Sequence, residues 1–285
     1  MGAFFGDIFN IRIKKSLEIF KILLKNPTYL LRGWYSDVLE QAKQEDVIKR
    51  YGLTNGLPTV DLIDLVPHFK EIVDPYSYLT ETSPPMDIAF LMSLARQYKN
   101  CKYLEIGTWR GESLANVSKV AKECVSISLS DEELRKWGHP EKYIKLQRFY
   151  SKGLKNVLHI NHNSLTFDYS KLNKKFDLIF VDGDHRYTSV KIDTQNVFRL
   201  LKDENSVIVW HDCGADTEGV KWSVLAGILD GCPPEKRKNL YRVSNTMCAI
   251  YMTKKIKHEF LTFPQTPNKN FKIKINSRKL NKKTK

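Results

Sequence analysis

Two carboxylates and an imidazole stand within four residues in the segment Phe176-Asp177-Leu178-Ile179-Phe180-Val181-Asp182-Gly183-Asp184-His185-Arg186-Tyr187. Crowding titratable groups in this way costs electrostatic energy unless they hold a metal, a proton or a substrate. A second acid and imidazole follow in Trp210-His211-Asp212-Cys213. Asp182 and Asp212 can converge on one divalent cation, and their oxygen ligands favour magnesium or manganese over zinc. The competing readings are a surface or capping acid for Asp184 and a satisfied structural histidine for His211. A third chemical element lies upstream, in Leu104-Glu105-Ile106-Gly107-Thr108-Trp109-Arg110-Gly111-Glu112-Ser113. Its glycines allow a backbone to approach a ligand closely, and Glu105, two residues before the first of them, suits a ligand with a positive end. The spacing is G-x-x-x-G, so the G-x-G-x-x-G pyrophosphate cradle of dinucleotide enzymes is not matched. A tight strand-to-helix turn without a ligand is the plainer alternative.

These residues need strands that end beside one another. Short apolar runs at Tyr103–Ile106, Cys124–Leu129, Val157–Ile160, Leu178–Val181 and Val207–Trp210 alternate with helical candidates at Ser113–Ala121, Glu141–Ser151, Thr188–Leu201 and Gly219–Leu229. That alternation predicts βαβ units and a doubly wound parallel sheet, with Asp182 and His211–Asp212 at the carboxyl edge where such sheets bind ligands. Leu240–Val243 and Met247–Met252 flank Ser244-Asn245-Thr246 and read as a hairpin. Upstream, Ser83-Pro84-Pro85 opens a capped helix into the core, and Leu30–Lys70, punctuated by Gly52, Gly56 and Pro58, reads as short helices joined by loops. Ile13, Leu17, Phe20 and Leu24 recur at helical spacing among lysines, which predicts a basic amphipathic helix ending near Asn26-Pro27.

The ordered set E-I-G-x-x-x-G-x-S, F-D-L-I-F-V-D-G-D-H-x-Y and H-D, spanning roughly Met86 to Lys254, resembles the class I S-adenosylmethionine-dependent methyltransferases. The likeness is to the branch of macrocin and catechol O-methyltransferases, methyltransferase family 24. It implies an α/β fold: a Rossmann-like, doubly wound seven-stranded sheet whose last strands form an antiparallel hairpin, with an N-terminal helical extension. Three regions are expected, an extension over 1–82, the methyltransferase domain over 83–254 and a basic tail over 255–285. The resemblance further implies that Glu105, Gly107, Thr108, Gly111 and Ser113 line the methionine and ribose parts of S-adenosylmethionine, that Asn163 and Ser164 meet the adenine, and that Asp182 borders the cofactor. It implies Asp182 and Asp212 as metal ligands, with Mg2+ the expected ion, and His185 as the base that takes the substrate hydroxyl proton beside Asp182. Two positions depart from the pattern. Ser128 replaces the acid that grips the ribose hydroxyls, with Ser130 or Asp131 as substitutes, and Cys213 replaces a metal-site asparagine. The expected partner is a small molecule with a hydroxyl acceptor. A noncatalytic binding or scaffold protein of the same fold is the alternative.

Charge places the remaining limits. From Lys254 onward eleven Lys or Arg face the single acid Glu259, so this tail carries a net +10 and leaves +4 of the total +14 to everything before it. The body is therefore close to neutral, and a nucleic-acid partner is not expected despite the overall charge. Basic tails of this kind are usually solvated ends, although the tail and the N-terminal helix leave peripheral membrane contact open, as they leave a homodimer. Five scattered cysteines, Cys101, Cys124, Cys213, Cys232 and Cys248, form no C-x-x-C pair and read as free thiols in a reducing cytoplasm.

Overall fold

The computed structural model describes residues 27–280. The basic helix expected over residues 13–24 lies outside them. The chain begins with α1 (Pro27–Tyr51) and passes through β1 (Thr59–Val60) and α2 (Leu62–Leu65) to α3 (Pro85–Ala95). The strand-helix series then runs β2 (Lys102–Ile106), α4 (Glu112–Val117), β3 (Glu123–Ser128), α5 (Asp131–Lys136), α6 (Glu141–Ile144) and β4 (Val157–Asn161). It continues through β5 (Leu178–Val181), α7 (Tyr187–Phe198), β6 (Val207–Trp210) and α8 (Trp222–Gly231), and closes with β7 (Leu240–Val243), β8 (Ala249–Tyr251) and β9 (His258–Glu259).

The sheet order is β4-β3-β2-β5-β6-β8-β7-β1-β9. Strands β2 to β6 pair in parallel, and β8 runs antiparallel between β6 and β7. The seven strands from β4 to β7 are the Rossmann-like α/β sheet with the expected terminal hairpin. Two short strands enlarge it to nine, β1 pairing with β7 and β9 with β1. Both lie outside the 83–254 boundaries, so the extension and the tail each add a strand.

The inner strands read as continuous apolar runs because both faces are covered. Leu104, Ile106, Ile179, Val181, Ile208 and Trp210 face the layer of α7 and α8. Tyr103, Leu178, Phe180, Val207 and Val209 face α3 and α4. Period-2 alternation therefore puts Glu105 in the α3/α4 layer, where it is fully buried.

Several local expectations are corrected. Leu30–Tyr51 belongs to one helix of 25 residues, because the breakers Gly52, Gly56 and Pro58 all lie beyond Tyr51 and only Gly33 falls inside. The helix expected over Glu141–Ser151 stops at Ile144, where Arg148 turns to positive φ and donates its backbone N–H to the Trp109 carbonyl at 2.6 Å. An unforeseen helix, α5, starts at Ser130 through a capping box with Glu133. Pro84, not Ser83, stands at the cap position of α3.

The basic tail, expected as a solvated end, lies along the N-terminal extension up to residue 280. Lys269 Nζ pairs with Asp61 at 2.9 Å, Phe271 meets Phe69 edge to face, and Arg278 reaches Asp74 at 3.1 Å. Acids in the extension thus take up part of the tail's charge. On the opposite side α1 is clamped to α8. Asp230 accepts from Tyr187 Oη at 2.6 Å and from Arg50 Nη1 at 3.1 Å, and it also holds Tyr51. Among the described residues no helix is long and apolar enough to cross a membrane. Replacing Asp230→Ala removes the shared acceptor of this clamp. We expect a loss of about 2 kcal/mol in urea denaturation, with earlier proteolytic cutting in α1.

Candidate active site

The register of the sheet decides which chain ends meet. Val181 on β5 pairs with Trp210 on β6 and with Ile106 on β2. The next residue of each strand is then Asp182, His211 and Gly107, and these three are neighbours. Gly107 has φ +85°, and a Cβ there would overlap the backbone carbonyl of Asp182. Gly111, also at positive φ, would collide with Ser151. Chain packing alone therefore requires both glycines. The stronger sign of a ligand at this turn is its unsatisfied polar atoms: Glu105 Oε1 and Ser128 Oγ are buried without a hydrogen-bond partner.

Glu105 is held through Oε2, which accepts from Tyr103 Oη at 2.7 Å. Burial pushes its carboxyl up from 4.5 to about 8, a rise that contacts with Tyr103, Ser113 and Thr108 oppose and nearby Asp182 increases. Thr108 Oγ1 is bound to Ser126 Oγ. Ser130 is committed elsewhere, accepting from Glu133 N at 3.2 Å as the cap of α5, and Asp131 pairs with Arg148 at 2.8 Å. Neither of the two expected substitutes for the missing acid is free, whereas Ser128 is. Asn163 and Ser164 follow β4, where His162 N donates to the Ser128 carbonyl at 2.8 Å. Asn163 Oδ1 accepts from Leu165 N at 3.0 Å, so its side chain shapes the loop.

The acid and imidazole groups form one cluster. His185 Nδ1 lies 2.8 Å from Asp212 Oδ2, and its Nε2 lies 3.8 Å from Asp182 Oδ1. His211 Nδ1 faces the same two carboxylates, at 3.3 Å from Asp182 Oδ1 and 3.2 Å from Asp212 Oδ2, but makes no hydrogen bond to either. Its other nitrogen, Nε2, stands 3.0 Å from Asp87 Oδ2. Ser83 Oγ donates to Asp182 Oδ2 at 3.0 Å.

Asp212 adopts φ +53°, a rare conformation for a residue with a side chain that turns its carboxylate back into the cluster. Although burial opposes it, contacts with His185 and His211 hold the Asp212 carboxyl far below the usual range. The Asp212 contact raises His185, against its burial. Burial lowers His211, but Asp182, Asp212 and Asp87 together carry it well above 6.5.

Asp184 stands apart, accepting from Arg186 N at 3.2 Å and Ser189 Oγ at 2.7 Å, so it secures the start of α7. Cys213 is buried and its thiol is pushed up to about 12 by burial, which leaves it neutral. Three residues of the cluster were not assigned chemistry from sequence. His211 was visible beside Asp212. Asp87 and Ser83 carry no such signal, since an acid in the first turn of an apolar helix and a serine before Pro-Pro are ordinary helix-start residues.

Residues 77–83 are tied to the glycine turn and to Asp182. Arg110 donates to the Thr80 carbonyl at 2.6 Å, and Ser77 Oγ donates to Glu112 Oε1 at 2.6 Å. This places the exposed Tyr78 and Leu79 beside the glycine turn.

Part of the chain is similar to a family model, and most of it has distant likenesses among solved structures. Residues 104–213 match the family model described as Methyltransferase domain. No curated protein matches the sequence. Among solved structures, an SAH-bound methyltransferase of Podospora anserina is 18% identical with a TM-score of 0.44, the match covering 74% of this chain and 95% of that one. An O-methyltransferase of Bacillus cereus in complex with SAH is 14% identical with a TM-score of 0.42, over 79% of this chain and 97% of that one. The matched segment holds the Glu105–Ser113 turn, Asp182, His185, His211 and Asp212, and it is this part of the chain that is similar to the methyltransferase-domain family.

Proposed function

We propose that the chain is an S-adenosylmethionine-dependent O-methyltransferase that acts on a hydroxyl group of a small metabolite or sugar with the help of a divalent cation. The observation that carries this reading is the placement of the Asp182–His185–Asp212 cluster against a glycine turn whose Glu105 and Ser128 present unsatisfied atoms.

The residues present suit both groups. Glu105 Oε1 is a buried acceptor without a donor, suited to the ammonium of a methionine moiety, and Ser128 Oγ can meet a ribose hydroxyl. Thr108, Ser113, Asn163 and Ser164 lie on the surrounding loops and helix start. Ser130 is not carried forward, because its hydroxyl caps α5. For the cation, one oxygen each of Asp182 and Asp212 and one nitrogen of His211 lie within 4.8 Å of one another. The nitrogen-to-oxygen separations of 3.2 and 3.3 Å are close to the ~3 Å between adjacent ligands of an octahedral ion with bonds of about 2.1 Å. The donor set fits.

When bound, S-adenosylmethionine supplies a sulfonium-activated methyl group and a divalent cation supplies acidity to a coordinated hydroxyl. His185 is placed to take the proton of that hydroxyl. Its Nδ1–H is held by Asp212, which leaves the Nε2 lone pair facing the Asp182 side of the site. Asp212 orients the base, and Ser83 fixes Asp182. The segment 77–83, tied to Arg110, Glu112 and Asp182, is the part of the extension nearest the site and the candidate to meet the acceptor. Positioning then supplies most of the acceleration.

One observation favours a noncatalytic binding role, namely Ser128 in the place of a ribose-gripping acid. The two readings part at His185→Ala. We expect this variant to lose at least ~100-fold in kcat while its affinity for S-adenosylhomocysteine stays within about 2-fold. Calorimetric titration of the wild type should show saturable binding of that ligand, and none at millimolar concentration would overturn the cofactor reading.

Glu105 gives a second test. Its folded-state pKa of about 8 lies above the ordinary 4.5, so between these values the folded chain holds a proton that the unfolded chain lacks. Stability of the ligand-free protein therefore falls as pH rises through this window. Glu105→Gln should flatten that dependence in thermal unfolding and be the more stable form at pH 8. The same variant should bind S-adenosylhomocysteine more weakly and lose the rise in affinity with pH expected of the wild type.

A further inference from the structure

His211 stands among three carboxylates with its two ring nitrogens in different surroundings. It follows β6, is buried at 8% exposure, and has a carboxylate behind one ring nitrogen and two in front of the other. Behind it, Asp87 Oδ2 lies 3.0 Å from Nε2. Asp87 is itself 1% exposed and its Oδ2 also accepts from the backbone N–H of Met247 at 3.3 Å, so the carboxylate is fixed by both α3 and the β7–β8 turn. In front, Nδ1 stands 3.3 Å from Asp182 and 3.2 Å from Asp212 with no hydrogen bond.

An Nε2–H donated to Asp87 leaves the Nδ1 lone pair pointing at two carboxylates. Three electron-rich atoms then face one another, which calls for a positive charge among them, either a second proton on the ring or a cation that displaces it. A carboxylate that holds one imidazole nitrogen while the other faces a cation is how proteins fix a ligating tautomer. Asp87 lies outside the matched segment 104–213, so the preceding helix α3 supplies it.

We propose that Asp87 is a positioning residue that holds His211 with Nδ1 free to ligate, and that the resulting site of one nitrogen and two carboxylates selects a first-row transition ion, such as Mn2+, over Mg2+. The inference rests on the divalent-cation reading above and sharpens it. Imidazole nitrogen binds transition ions much better than magnesium, which prefers an all-oxygen shell with several waters. An oxygen-only pair, Asp182 with Asp212, would discriminate little.

The test uses the full chain, stripped of metal and titrated separately with Mn2+ and Mg2+. The Mn2+ form is also read by pulsed electron paramagnetic resonance for 14N coupling. We expect Mn2+ to bind at least ~10-fold tighter than Mg2+ and to show coupling from a directly bound imidazole. His211→Gln should abolish that coupling and bring the two affinities together. Asp87→Asn should weaken Mn2+ binding by about 10- to 100-fold with the coupling diminished, and Asp87→Glu should recover part of it. Circular dichroism and thermal unfolding establish that each variant is folded, and should Asp87→Asn not fold, His211→Gln alone decides.

Mn2+ binding without nitrogen coupling, or equal affinities for the two ions in the wild type, overturns the inference and leaves the cation reading standing. Wild-type Mn2+ affinity in a folded Asp87→Asn overturns the role of Asp87. Failure of both ions to bind overturns the cation reading itself, with His211 then a buried imidazolium neutralising its three acids.

Discussion

Three carboxylates, those of Asp87, Asp182 and Asp212, converge on the buried imidazole of His211, and much of the surrounding structure serves to hold that concentration of charge. Each acid arrives on a different element, α3, the end of β5 and the turn after β6. Each has a further partner that keeps it in place: Met247 N for Asp87, Ser83 for Asp182 and His185 for Asp212. Like charges so close are mutually unfavourable in a low-dielectric interior. They are tolerable because two imidazoles stand among them and because a cation fits between them. The same electrostatics orient His185, whose ring is held by Asp212 at the more exposed side of the cluster.

Sheet geometry converts this cluster into a site for group transfer. Parallel pairing of β2, β5 and β6 sets Gly107, Asp182 and His211 side by side, and the close approach of Gly107 to the Asp182 carbonyl leaves no room for a side chain. The cofactor turn and the acid cluster are thus two halves of one construction. Glu105, forced by strand alternation into the α3/α4 layer, keeps an oxygen without a donor beside that turn.

The parts that look peripheral are tied to the site. The α3 helix delivers Asp87 and follows Ser83, and the segment before it is gripped by Arg110 and Glu112 of the glycine turn. The tail braces the extension through Lys269, Phe271 and Arg278. Exposed ion pairs such as that of Arg278 contribute little individually. Their joint effect, with the added strands β1 and β9, is to hold the extension against the hairpin edge.

Read alone, the residue pattern determined the α/β class, the five parallel strands, the terminal hairpin and the acid and imidazole residues at the carboxyl edge. Such features are local: a buried parallel strand is a short apolar run, and a ligand edge is where polar residues interrupt it. Helix extents were less legible. Ile144 ends α6 because Arg148 is drawn to the Trp109 carbonyl, a contact 39 positions away in sequence. Only the tertiary structure decided that Ser130 would be consumed as a cap while Ser128 stayed unsatisfied, that Cys213 would be buried and neutral, and that His211 would face two acids with Asp87 behind it. Those outcomes depend on which side chains distant segments bring within about 3 Å, and spacing along one chain carries no record of that.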